Sequence, residues 1–217
     1  MSRSTVVICF GDSLTVGFQS PTKDNPTGRD IPYGQFLQAD LGEAAQVRIS
    51  GISGEVTSEM VARFQGDVLD YQPDYVVILG GTNDLGRNTA AADIMGNLVK
   101  MYDQVLAQES IPIPVTVPSI RVEDSASSPE GQAWIARHHA SRGQLNTFIK
   151  EYAVSKRLAY VDLFTATADL PSQQLAAIYS NDGTHLTTVG YQVFAALVGQ
   201  VLRSCGLACI GPRNKES

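Results

Sequence analysis

Apolar residues along the chain gather into five short runs, at 5–10, 45–49, 75–79, 113–117 and 159–163. Each is rich in Val, Ile or Leu and lacks a clean polar alternation, the pattern of a strand buried on both faces. Between them lie longer stretches with helical spacing, at 34–41, 58–68, 89–108, 134–155 and 187–202. Strands alternating with helices predict an α/β fold with a parallel sheet covered on both sides. The expected architecture is a three-layer α/β/α sandwich with five parallel strands in the order 2-1-3-4-5. No internal repeat or second unit is visible, so residues 1–210 are read as one domain and 211–217 as a polar tail.

Two polar segments, 15–32 and 118–131, interrupt this rhythm. Both follow a predicted strand. In open parallel sheets the loops beyond the strand C-termini surround the ligand crevice. Loops of this length in a compact domain are usually functional, so both are expected to wall a site.

Composition changes this picture little. The chain has 217 residues, 43% of them hydrophobic and 18% charged, enough for a sizeable core without disulfides or a structural metal. A net charge of −6 argues against nucleic acid or an anionic membrane as partner. No apolar run reaches the ~18 residues of a membrane span. The run at 5–10 leads straight into a motif and reads as a core strand, not a secretory leader, so a cytoplasmic protein is expected. Of three cysteines, Cys9 is read as buried, and Cys205 and Cys209 as reduced thiols. No zinc-ligand spacing is present.

The chemistry sits directly after the strands. Gly11-Asp12-Ser13-Leu14 closes the first and would present the Ser13 hydroxyl at the top of the sheet. A serine needs a base to act as a nucleophile. Asp182-Gly183-Thr184-His185, before the last helix, offers one: an aspartate and a histidine three apart can bond, fixing the ring tautomer. Gly81-Thr82-Asn83-Asp84 follows the third strand and offers the Asn83 amide as a donor to a developing oxyanion. After the second strand, Gly54 lets a backbone N–H approach a substrate closely, and Gly51 is the other glycine in reach. There is no GxGxxG, GxxxxGK[ST] or GxSxG, so the dinucleotide-binding, P-loop and ordinary α/β-hydrolase labels find no support.

In these four blocks the chain resembles the GDSL, or SGNH, hydrolases. Gly11-Asp12-Ser13-Leu14, Ile52-Ser53-Gly54-Glu55, Gly81-Thr82-Asn83-Asp84 and Asp182-Gly183-Thr184-His185 fall in the family's order and span nearly the whole domain. The resemblance implies a flavodoxin-like fold and an esterase or lipase activity on small-molecule acyl esters. It implies a catalytic triad of Ser13, Asp182 and His185, with an oxyanion hole from the Ser13 and Gly54 N–H groups and the Asn83 side chain. No cofactor or metal is expected.

Two other readings are weighed. A metal-dependent phosphoesterase would gather Asp12, Asp84, Asp182 and His185 around divalent ions, but leaves Ser13, Gly54 and Asn83 without work. A non-catalytic binding module would have lost Ser13 or His185. Among the remaining residues, Asp12 is expected to bond its own turn and Asp84 to anchor a loop. His138 and His139 are expected to face solvent, Trp134 to pack, and Arg121 to be a solvated loop charge.

Overall fold

The computed structural model describes residues 4–23, 25–122, 128–169 and 171–207. In chain order the elements are β1 (Thr5–Gly11), α1 (Ser13–Val16), β2 (Phe18–Gln19), β3 (Arg29–Asp30), α2 (Tyr33–Leu41), β4 (Ala45–Gly51) and α3 (Thr57–Asp67). There follow β5 (Tyr75–Leu79), α4 (Thr82–Gly86), α5 (Ala91–Ala107), β6 (Ile111–Pro114), α6 (Pro129–Ser155), α7 (Leu163–Thr167) and α8 (Thr188–Ser204). The main sheet is parallel, in the order β4-β1-β5-β6. A separate two-residue antiparallel pair, β2 with β3, stiffens the 15–32 segment.

The central strands are buried on both sides, because successive side chains leave a strand in opposite directions. Cys9 faces α2, where a Cβ on Gly34 would come within 3.5 Å of its Sγ. Its neighbour Phe10 faces α3 and meets Phe64 edge to face at 5.1 Å. On the first side α2 packs against α8, with Tyr33 stacked on Phe194 at 3.8 Å. On the second side α5 packs between α3 and α6. These are the three expected layers, enclosing one contiguous buried cluster.

The fifth predicted strand, 159–163, is reduced to a single parallel bridge between Val115 and Val161. The described sheet therefore has four strands, not five. The cause lies in the sequence of β6. Ile111 and Val115 donate inward, to Asp74 O and Ile78 O, so the alternate positions 112 and 114 face outward. Both are proline and have no N–H to give a neighbouring strand. The first outward donor is Thr116, which bonds Val161 O at 3.0 Å, while Val161 N returns to Pro114 O at 2.9 Å. Asp162 then caps α7 by accepting from Thr165 N, and the extended chain ends. β6 itself lies at 111–114 rather than the predicted 113–117. Helix α6 starts earlier than the spacing predicted, with Ser128 capping it through Gly131 N at 3.1 Å and Pro129 in the first turn.

Candidate active site

Ser13 stands where β1 gives way to α1. Gly11 is required there, because a Cβ would lie 2.3 Å from the Leu79 carbonyl of β5. Asp12 caps the turn, its carboxylate accepting from Leu14 N at 3.0 Å. That agrees with its expected local role. Ser13 is only 6% exposed and Asp12 is fully buried. Burial pushes the Asp12 carboxyl up to about 6, against the Leu14 hydrogen bond and the field of His185, which pull it down.

The sheet brings this turn to the loop at 180–187. His185 Nε2 lies 3.1 Å from Ser13 Oγ, and His185 Nδ1 lies 2.7 Å from Asp182 Oδ2. With an ionised carboxylate at Nδ1, the ring carries its proton there and leaves Nε2 as an acceptor toward the serine. The other Asp182 oxygen accepts from the N–H groups of Thr184 and His185, both at 2.8 Å. The Ser20 hydroxyl, from the 15–32 segment, donates to Asp182 Oδ2. Burial would raise the Asp182 pKa, but the hydrogen bonds from His185, Ser20 and the two backbone N–H groups outweigh it. The carboxyl is held well below the usual carboxylate range. Phe18 covers His185 edge to face at 4.6 Å.

Arg121 holds this loop from the other side. Its N–H donates to Gly183 O at 2.8 Å and its guanidinium to Ser180 O at 3.0 Å. Gly183 has φ of +81°, and a Cβ there would lie 2.0 Å from Arg121 O. Arg121 is thus a strut of the base loop, not the solvated charge the sequence suggested.

Opposite the base stands a shelf built from β4 and β5. Ile52 N bonds Gly11 O at 3.1 Å, fixing the start of the turn that carries Gly54. Gly51 is wedged against α1, where a Cβ would meet Val16 N at 2.7 Å. Gly54, with φ of +80°, has open space around it. The Asn83 amide donates to Glu55 O at 2.8 Å and reaches Asp12 Oδ2 at 3.4 Å. Asp84 anchors the shelf as expected, accepting from Thr57 N at 2.9 Å and Thr57 Oγ1 at 2.7 Å. The N–H groups of Ser13 and Gly54 have no intramolecular acceptor among the described residues. Ser13, His185 and Asp182 are thus joined by hydrogen bonds in one line, and Asn83 is tied to the Gly54 turn through the Glu55 carbonyl.

The carboxylates of the metal-dependent reading do not converge. Asp84 turns to Thr57 and Asp12 to Leu14, and among the described residues no group of three or more His, Cys, Asp or Glu is arranged to hold an ion. His138 departs from expectation. It is 6% exposed, not solvent-facing, and its Nε2 lies 3.1 Å from the guanidinium of Arg142, itself 1% exposed. Burial and the Arg142 charge lower the His138 pKa to about 4. Trp134 stacks on His138 at 4.9 Å. It lines a cleft of about 420 Å³ beside Asp182, together with Ile120, Arg121, Val122 and Thr184. A larger cavity of about 890 Å³ lies at the opposite ends of the strands, around Pro73, Asp74, Tyr75 and Ser110, away from Ser13. Cys9 is buried as expected. Residues 123–127 of the 118–131 segment, Cys209 and the 211–217 tail lie outside the described residues.

Sequence reasoning missed Ser20, Phe18 and the struts Arg121 and Arg63. Arg63 and Arg142 did carry a signal: each occupies an apolar-stripe position on its helix, beside Met60 and Phe64 in α3 and beside Leu145 and Ile149 in α6. A charge on a buried stripe needs internal partners.

Comparison with known proteins bears on the fold and the family. A stretch of 78 residues is 36% identical to an uncharacterized lipoprotein, YqeF, of Bacillus subtilis, covering 36% of this chain and 31% of that relative. The chain thus matches about a third of that protein's length. Among the described residues no helix is long and apolar enough to cross a membrane. The fold is similar to that of a lipase/acylhydrolase from Enterococcus faecalis, with a TM-score of 0.73, 24% identity, and 93% and 96% of the two chains covered. It is also similar to an acetylxylan esterase, Axe2, from Geobacillus stearothermophilus, with a TM-score of 0.71, 20% identity, and 98% and 100% covered. The model of the GDSL-like lipase/acylhydrolase family matches residues 9–193, so the chain belongs to that family.

Proposed function

We propose that the protein is a serine esterase that hydrolyses carboxylic esters or thioesters, acyl or acetyl, through an acyl-enzyme intermediate. One observation carries this reading: the two-bond chain from Ser13 Oγ through the His185 ring to the Asp182 carboxylate. Ser13 Oγ attacks the carbonyl carbon while His185 Nε2 takes its proton. Asp182, held ionised by its hydrogen-bond donors, stabilises the imidazolium and keeps the ring oriented. The oxyanion is received by the Ser13 and Gly54 N–H groups and the Asn83 amide. His185 then protonates the leaving alcohol or thiol, and water repeats the sequence to release the acid. Gly54 is preferred to Gly51 as the second donor, because its turn opens to solvent while Gly51 is wedged against α1. The whole reaction is assigned to a single domain, 1–210.

The test is hydrolysis of p-nitrophenyl acetate, butyrate and octanoate by wild type and Ser13→Ala, with and without EDTA. Activity that survives EDTA and vanishes in Ser13→Ala is the expected outcome. Activity that persists in Ser13→Ala, or is lost to EDTA, returns the metal-dependent reading.

A further inference from the structure

Arg63 lies on the inner stripe of α3, with its guanidinium 4.2 Å over the Phe10 ring. Nε donates to both Glu55 carboxylate oxygens, at 2.7 and 2.9 Å, and Nη2 meets the second at 2.6 Å. Nη2 also donates to Gly11 O at 3.1 Å, and Nη1 to Ser50 Oγ and Asp67 Oδ2, both at 2.7 Å. The two side chains of the pair are 14% and 6% exposed. This is a largely desolvated, forked, charge-assisted contact, which fixes geometry as well as contributing energy.

Its partners are the feature of interest. Gly11 O is the last carbonyl of β1, two residues before the nucleophile. Ser50 lies at the end of β4. Glu55 follows Gly54, and its own carbonyl receives the Asn83 amide at 2.8 Å. Residues 52–54 are exposed, whereas Glu55 is buried. The Gly54 turn packs against nothing within 4 Å of a notional Cβ, and its surface tie is Arg87 Nη2 on Gly54 O at 3.3 Å. The turn is therefore positioned chiefly from its buried end.

We infer that Glu55 and Arg63 are positioning residues, which set the spacing between the Ser13 N–H, the Gly54 N–H and the Asn83 amide. This rests on the triad and oxyanion reading above. Neither side chain touches the reacting atoms. Together they tie the ends of β1 and β4 to one guanidinium, with Asn83 beyond β5 joined through the Glu55 carbonyl, so the oxyanion donors are fixed before the charge develops. Such preorganisation gives donors their catalytic value, and a displacement of about 1 Å can cost about 10²-fold in rate.

The test compares wild type with Glu55→Gln and Arg63→Lys. It reads kcat and KM on p-nitrophenyl acetate, inhibition by phenylboronic acid (a tetrahedral adduct on Ser13), and thermal melting by circular dichroism. Glutamine keeps the shape of Glu55 but not its charge, and lysine lacks the fork. For folded variants, kcat should fall about 10- to 100-fold with KM within about threefold, and boronate affinity should fall in parallel. Wild-type kcat in folded variants, or a loss carried by KM alone, overturns the inference. If Arg63→Lys does not fold, Glu55→Gln decides. A Ser13→Ala control that keeps activity brings down the triad reading, and this inference with it, while a dead control with fully active Glu55→Gln brings down the inference alone.

Discussion

Ser13, Gly54 and Asn83 stand beyond the ends of β1, β4 and β5, neighbours in one hydrogen-bonded sheet. Asp182 and His185 sit on a loop beyond the fourth strand, in a region joined to the sheet by a single bridge at Val161. In the first group Ser13 is buried, Asn83 half-buried and the Gly54 turn exposed, and the strand ends that carry them are tied by Arg63, Glu55 and Asp84. The second is partly exposed, with the His185 and Asp182 side chains at 24% and 27%, and is hung from Arg121, Ser180, Ser20 and Phe18. Parts that must not move are built into the ladder. The loop of Asp182 and His185, proposed to take and return the proton, is hung beside it on side chains and on the backbone bond from Arg121 N to Gly183 O. Damage to the base loop should therefore appear in rate with little loss of stability, and damage to the buried Asp84 anchor of the shelf in stability.

The largest contrast is expected from Asp182→Asn. The backbone N–H groups of Thr184 and His185 keep a side-chain acceptor in the new amide oxygen, but Nδ1 of His185 loses its carboxylate and the wrong tautomer is favoured. In a serine hydrolase, kcat should fall about 10⁴-fold, while the melting temperature stays within a few degrees. A melting temperature that collapses, with normal rate in the folded fraction, would show that the loop is structural after all. Asp84→Ala is expected to behave in the opposite sense. It leaves the N–H of the fully buried Thr57 without an acceptor, at a cost of about 2–4 kcal/mol. In a chain of this size that lowers the melting temperature by roughly 5–15 °C, read by calorimetry. An unchanged melt would remove the distinction between shelf and loop.

The smallest effect concerns pH. The folded Asp12 carboxyl titrates at about 6, raised by burial, against 3.8 as its ordinary value. The folded state then holds the proton more tightly than the unfolded one. Its contribution to stability is full below about pH 4 and falls as pH rises to about 6. In Asp12→Asn this term is absent. Between pH 4 and 6 the stability difference should therefore shift in favour of the variant, by at most about 1.4 kcal/mol per pH unit, and level off above. Denaturant melts at four pH values would show it, and a flat difference would mean that the buried carboxylate is better paired than its surroundings suggest.

The four candidate blocks stood out in the sequence because each is local. The blocks at Ser13, Gly54 and Asn83 each follow a strand end within a few residues, and the parallel sheet gathers strand ends without help from the intervening sequence, while Asp182 and His185 stand three apart on one loop. The layers were legible for the same reason, since periodicity is local. What escaped was long-range. Nothing near Arg121 announces that its partners are at 180 and 183, and nothing near Ser20 points to Asp182. His138 was misread because a histidine beside a second histidine on a polar helix resembles a solvated face, whereas Arg142 one turn on draws it inward. The missing fifth strand is a different kind of miss. Ile111-Pro112-Ile113-Pro114 already states that one edge cannot donate, and hydrophobicity alone outweighed that in the reading.

Trp134 is the only tryptophan in the chain. It is 37% exposed, stacked on a histidine, and beside the cleft next to Asp182. Intrinsic emission is therefore a local gauge, not a measure of the whole molecule. It reports on the start of α6 and the rim of the crevice, and the sheet can stay intact while that signal changes. An emission trace that departs from the circular-dichroism melt would record fraying of α6 rather than loss of the fold. The same indole gives a label-free view of any solute that settles against the rim, whether or not it is turned over.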